Sequence, residues 1–173
     1  MKQLGKIKEL PFEIAIKLSQ NARLQQLLVD DSNQYLVDDV NDTNTELIDV
    51  NELLRDEYIS FSPVVDNNIT NSTRNTFLII NLDEIDFVSS EDNMAVSGTI
   101  FIGTDKQHAV LNNNRLRLVE MTDEILKSLH GEKLSVAGQI DLQYSTFISY
   151  SNYVFGYKIV FRIAEQETRK AMI

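Results

Sequence analysis

The chain has 173 residues, 43% of them apolar and 24% charged, which predicts a single globular domain that buries about two thirds of its unfolded surface. It contains no cysteine, so disulfides, thiolate zinc sites and thiol nucleophiles are excluded. A net charge of −10 argues against a protein that grips nucleic acid, because tight binding to a duplex means neutralising several phosphates with Lys and Arg. No segment approaches the roughly 20 apolar residues of a spanning helix. The first stretch interrupts its apolar residues with Glu9 and Glu13, so neither a membrane location nor a secretion signal is predicted.

Pro11 fits a first helical turn, where its missing N–H costs nothing. Phe12, Ile14, Ala15, Ile16 and Leu18 supply apolar positions. Ser19 or Asn21 can cap a second short helix through Leu24, Leu27 and Leu28. Ten acidic residues between positions 30 and 57 face a single Arg55, a charge run that reads as a solvated loop. Within it, 35–37 can form a short strand, and Asp49 can cap a helical turn over 50–57. Pro63 and the asparagines at 67, 68, 71 and 75 predict a long loop over 62–75.

Thr76–Phe87 and 95–103 read as a strand pair, with Leu78, Ile80 and Leu82 on one face of the first strand and Val96, Ile100 and Ile102 together on the second. A helix over 116–129 carries Leu118, Met121, Ile125, Leu126 and Leu129 as one stripe. Asn112, Asn113 or Asn114 can cap its start, and His130–Gly131 marks its end. A second pair follows at 139–148 and 153–163. In the first of these strands Ile140, Leu142, Tyr144 and Ile148 are expected inward, opposite Gln139, Asp141, Gln143 and Ser145. The second stacks Tyr153, Phe155, Tyr157, Ile159, Phe161 and Ile163 on one face.

The expected fold is therefore α+β: a four-stranded antiparallel sheet in the order ββαββ, with one helix packed across it and short N-terminal helices before it. The chain is expected to be one domain over 1–173. Residues 1–57 form a helical and acidic segment, 58–75 a loop or arm, 76–164 the sheet-plus-helix core and 165–173 a charged, then apolar, tail.

No catalytic constellation is legible on this frame. His108 precedes the asparagine-rich cap and His130 sits at a helix end, each without the convergent partners that a metal or an acid–base step needs. Asp83, Glu84 and Asp86 read as a solvated strand end. Counted from Asp39, a calcium loop would want Gly at 44 and Glu at 50, where Asn44 and Val50 stand. Gly98, Gly103 and Gly156 form no phosphate-binding pattern. The stripe of Tyr153, Phe155, Tyr157 and Phe161 could stack bases, but without basic residues on that face it reads as core. Asp83, His108 and Tyr144 would be the members of an enzyme site only if the fold brought distant positions together. No cofactor, metal or catalytic residue is expected.

The segments IAIKLSQNARLQQLLVDD, TFLIINLDEIDF, AVSGTIFIGT, RLRLVEMTDEILKSLHG and GYKIVFRIA, in that order over about residues 10 to 164, resemble the tail terminator, tail completion or neck proteins of tailed bacteriophages. The acidic stretch over 30–57 departs from the smaller members of that family. The resemblance implies a virion structural protein, made in the host bacterial cytoplasm, that oligomerises with itself into a ring at the head–tail junction. Neighbouring portal, adaptor or tail proteins would be its partners, and DNA would pass through the lumen without specific binding, repelled by an acidic wall. Pro63, Asn67, Asn68, Asn71 and Arg74 would then belong to a contact arm, and Ala171, Met172 and Ile173 to a contact made by the 165–173 tail of the chain. The alternative expectation is a non-viral α+β module that takes a peptide on a free sheet edge.

Overall fold

A computed structural model describes residues 7–30, 47–61, 74–87, 94–111, 113–134, 138–149 and 152–164. Helix α1 spans Leu10–Ser19 with Pro11 in its first turn, and α2 spans Ala22–Val29. The carbonyl oxygen of the Asn21 side chain accepts from the Leu24 N–H at 2.9 Å, filling the first-turn donor that every helix leaves open. Asp49 caps the short α3, Val50–Arg55, in the same way through the Asn51 N–H. The strands are β1, Ile59–Ser60; β2, Thr76–Phe87; β3, Met94–Asp105; β4, Lys133–Leu134; β5, Gly138–Ser149; and β6, Val154–Ala164. Helix α4, Arg117–Leu129, stands between β3 and β4.

The four-stranded antiparallel sheet crossed by one helix is overturned. Six strands run in the order β1-β2-β3-β6-β5-β4. The sheet is mixed, because β1 is parallel to β2, and it curves into a half-barrel. Two physical reasons account for the difference. β1 and β4 are two residues long, too short to show any period, and β1 lies inside the stretch expected to be a loop. Two of the long strands, β2 and β5, carry bulges, which bend and twist a sheet beyond what regular pairing gives.

Nor does one helix cover the inner face. Ile14 and Leu18 of α1, Leu24 and Leu28 of α2, and Met121, Ile125 and Leu129 of α4 form one cluster with Ile80, Val96, Ile100, Ile140 and Ile163 of the sheet. The segment before residue 58 thus enters the same core as the strands. Polar side chains lock these helices in place. The buried Gln25 amide donates to the Ser19 and Ile48 carbonyls at 2.6 and 2.8 Å and accepts from the Ile48 N–H at 2.9 Å. Arg117, only 1% exposed, donates to the carbonyls of Leu27, Asp30 and His108 at 2.6, 2.8 and 2.8 Å. Its charge therefore sits at the carbonyl end of α2, where the helix dipole favours a cation. The expected asparagine cap of α4 is not made by Asn113 or Asn114: Leu116 holds the cap position without a side-chain bond, and Asn113 accepts from Arg115 instead. Asn112 lies outside the described residues.

Each outer long strand has one extra residue. In β2, Leu82 pairs with Gly98 and Glu84 with Ser97, so Asp83 is the bulge. In β5, Leu142 pairs with Phe161 and Tyr144 with Val160, so Gln143 is the bulge. An extra residue reverses which face each later side chain takes. Tyr144 and Ile148, expected inward beside Ile140 and Leu142, therefore turn to the opposite face. Phe147 takes the inner side and packs 5.7 Å from Tyr157, edge to face, and 6.0 Å from Phe155. Two glycines make room for rings: a Cβ on Gly98 would strike Phe161, and one on Gly103 would strike Phe77.

Candidate interaction surface

The two halves of β5 differ in what covers them. Near its start, Gly138 and Gln139 pair with β4. The Ile140 N–H and carbonyl bond to Glu132 and Gly131 at 2.9 Å each, and the Leu142 N–H donates to Nδ1 of His130 at 3.3 Å. From Gln143 onward no described strand pairs with the outer side of β5. Residues 143 to 147 are exposed on both faces, with Tyr144 at 59% and Phe147 at 57%. Tyr153, just before β6, is 75% exposed. The segment 143–148, Gln-Tyr-Ser-Thr-Phe-Ile, has no charge, proline or glycine. It combines high strand propensity with a ladder of backbone groups that no described strand pairs.

At the other side of the sheet, β1 covers only Leu78 and Ile79 of β2, so 80–87 also lack a described outer neighbour. There Asp83, Glu84 and Asp86 are all exposed. The Asp83 carboxylate accepts from the Thr99 hydroxyl at 3.4 Å.

The residues singled out in the sequence scatter. Asp83 lies beside Gly98 of β3, whereas His108 follows the far end of that strand, more than about 20 Å away at the rise of a strand. Tyr144 is three strands across from β2, about 14 Å at sheet spacing. The three form no common site. His108 instead pairs with Asp105, Nδ1 to Oδ1 at 2.7 Å. Burial pushes the Asp105 carboxyl up, but hydrogen bonds from the His108 ring and from the His108 and Gln107 amides outweigh this and hold it below its ordinary value. His130 borders an open depression of about 550 Å³, with Gln139, Asp141, Gln143 and Arg162 around it. Its charged members are solvent-exposed. Among the described residues no three His, Asp or Glu side chains gather as metal ligands would, and no helix is long and apolar enough to cross a membrane.

The stripe of Tyr153, Phe155, Tyr157 and Phe161 runs from open to closed: Tyr153 is exposed, Phe155 and Tyr157 are half-buried, and Phe161 is fully buried. Of the expected contact arm only Arg74 is described. Its Nε donates to the Asp56 carbonyl at 2.7 Å and its guanidinium lies 4.4 Å over the Tyr58 ring, which ties it to the approach to β1. Pro63, Asn67, Asn68 and Asn71 lie outside the described residues, as do Ala171, Met172 and Ile173, the stretch from Asp39 to Asn44, and 35–37.

Sequence reading expected Tyr144 inward, whereas it is exposed, and assigned Phe147 to neither face. One signal was there: Leu142 and Phe147 are five apart, and two large apolar residues at odd spacing share a face only if the strand carries an extra residue.

The chain matches no protein-family model and no curated protein sequence.

Proposed function

We propose that the chain is a virion structural protein, a self-associating ring subunit at the head–tail junction of a tailed phage, joining portal or adaptor to tail around a lumen for DNA. One observation carries the self-association: the uncharged outer side of β5, which no described strand covers beyond Gln143, with Tyr144 and Phe147 more than half exposed. Such an edge is a template for pairing with another chain, which monomeric proteins blunt with charge, proline or a covering segment. The virion setting comes from the resemblance of sequence order. The net charge of −10 supports it, since an acidic wall lets phosphates pass without holding them.

Purified chain imaged by electron microscopy, with its mass followed by light scattering, tests this reading. Closed rings are the expected outcome. A chain that stays monomeric at high concentration, yet captures an extended peptide, would instead be a module that uses its free edge for peptides.

A further inference from the structure

We infer that the outer edge of β5 over residues 144–148 takes the same segment of a second copy of this chain, antiparallel, about a two-fold axis at Thr146. This rests on the self-association proposed above and adds the partner segment, its register and its symmetry.

Charge identifies the occupant. Two copies at −10 each repel over their acidic surfaces, and 143–148 offers a contact without carboxylates. The nearest cations across the sheet, the two Lys158 side chains beside Thr146, stay three strand spacings apart, about 14 Å. The nearest charge along β5 is Asp141. A two-fold axis at Thr146 leaves the two Asp141 residues about 33 Å apart at strand rise, well beyond the roughly 8 Å screening length of physiological salt. The β2 edge behaves in the opposite way. Paired with itself about Ile85, it would set Glu84 directly against the second copy's Asp86, and like charges opposite each other destabilise a ladder. A basic peptide finds no carboxylate on 143–148 to hold it.

The side chains also suit self-pairing. With the axis at Thr146, Ser145 faces the second copy's Phe147 on the helix-covered side of the sheet. Tyr144 faces the second copy's Ile148 on the other side. Both pairs keep like faces together, as antiparallel neighbours must, and the second is an aromatic against a β-branched chain, a favourable cross-strand pair. The Gln143 bulge marks where this segment begins. Before it, β4, Glu132 and His130 already occupy the outer side of β5.

An isologous contact closes after two copies, so a ring that meets different neighbours on its two faces needs a second, head-to-tail contact.

The absence of cysteine makes the test direct. Opposite residues of an antiparallel pair have Cα atoms about 4.5–5.5 Å apart, within the span of a disulfide. Full-length Thr146→Cys should form a covalent, reducible dimer on oxidation. Glu84→Cys, an exposed control on the β2 edge, should remain largely uncross-linked. Phe147→Lys should weaken association on the order of tenfold or more with unchanged circular dichroism. If the unmodified chain associates but Thr146→Cys cross-links no better than Glu84→Cys, the β5 contact is wrong and the assembly reading stands. If Thr146→Cys cross-links and Phe147→Lys is monomeric, yet no rings form, the contact stands and the ring reading falls. A strictly monomeric chain with no cross-link overturns both.

Discussion

β2 and β5 are alike in plan and opposite in chemistry. Each is twelve residues long, each lies outermost among the long strands, and each carries a bulge directly after a leucine. In β2 the extra residue returns Ile85 to the helix-covered face, where it packs on the core, and leaves Asp83, Glu84 and Asp86 in water. In β5 it leaves the core behind, and Tyr144 and Phe147 emerge into solvent. A bulge supplies geometry alone. Whether the edge beyond it is guarded or adhesive depends on the side chains placed there.

The two halves of β5 should separate stability from association. Ile140 is fully buried, so Ile140→Ala should cost about 2–5 kcal/mol in urea unfolding. Phe147→Ala, measured at a dilution where the chain is monomeric, should cost under about 1 kcal/mol, as exposed substitutions do. Equal costs would mean that the far half of β5 is packed like the near half.

Deletions probe the bulge itself. Removing Gln143 keeps Leu142 opposite Phe161 and Tyr144 opposite Val160, so the shortened chain should lose no more than about 1 kcal/mol. Removing Asp141 lets the bulge close by one residue, but Gln143 then falls where Leu142 was buried. The loss of that leucine predicts a cost of about 2–3 kcal/mol. Two deletions of equal effect would place the irregularity elsewhere in β5.

The β2 edge can be converted towards the β5 edge. Asp83→Asn, Glu84→Gln and Asp86→Asn together remove its three charges, and a guarded edge stripped of charge should begin to pair. Sedimentation should show a concentration-dependent rise in mass that Phe147→Lys does not reverse. A triple variant that sediments like the parent chain would show that charge is not what guards β2.

Much of this was legible in the sequence, and the rest was hidden for definable reasons. The ends of β2 were read to the residue, and those of α4 to within one, because both have apolar spacings sustained over twelve residues or more. The caps at Asn21 and Asp49 were readable because capping is local. β1 and β4 were not, since two residues carry no period and their pairing is decided by distant partners. The faces beyond Gln143 were misassigned because strict alternation was assumed through a bulge. Arg117 gave no signal: an arginine next to an apolar stripe usually points to water, and only the fold brings the Leu27 and Asp30 carbonyls to it.

A small effect is expected at the turn that follows β3, beside the start of β6. Asp105 ends β3 opposite Val154 of β6, and the next amide, Lys106, donates to the Tyr153 carbonyl at 2.8 Å. The Asp105 carboxylate organises this turn by accepting from Gln107 and His108. Because its folded-state value lies below the ordinary one, its stabilising contribution is complete above the unfolded value of about 3.9. It is lost as pH falls further, through the folded value. Asp105→Asn should therefore lower Tm near neutral pH by roughly 2–4 °C, the shift that about 1 kcal/mol makes in a domain of this size. The gap between variant and parent should narrow below about pH 4. A gap that stays constant from pH 7 to pH 3 would mean that the carboxylate's charge does not hold the turn.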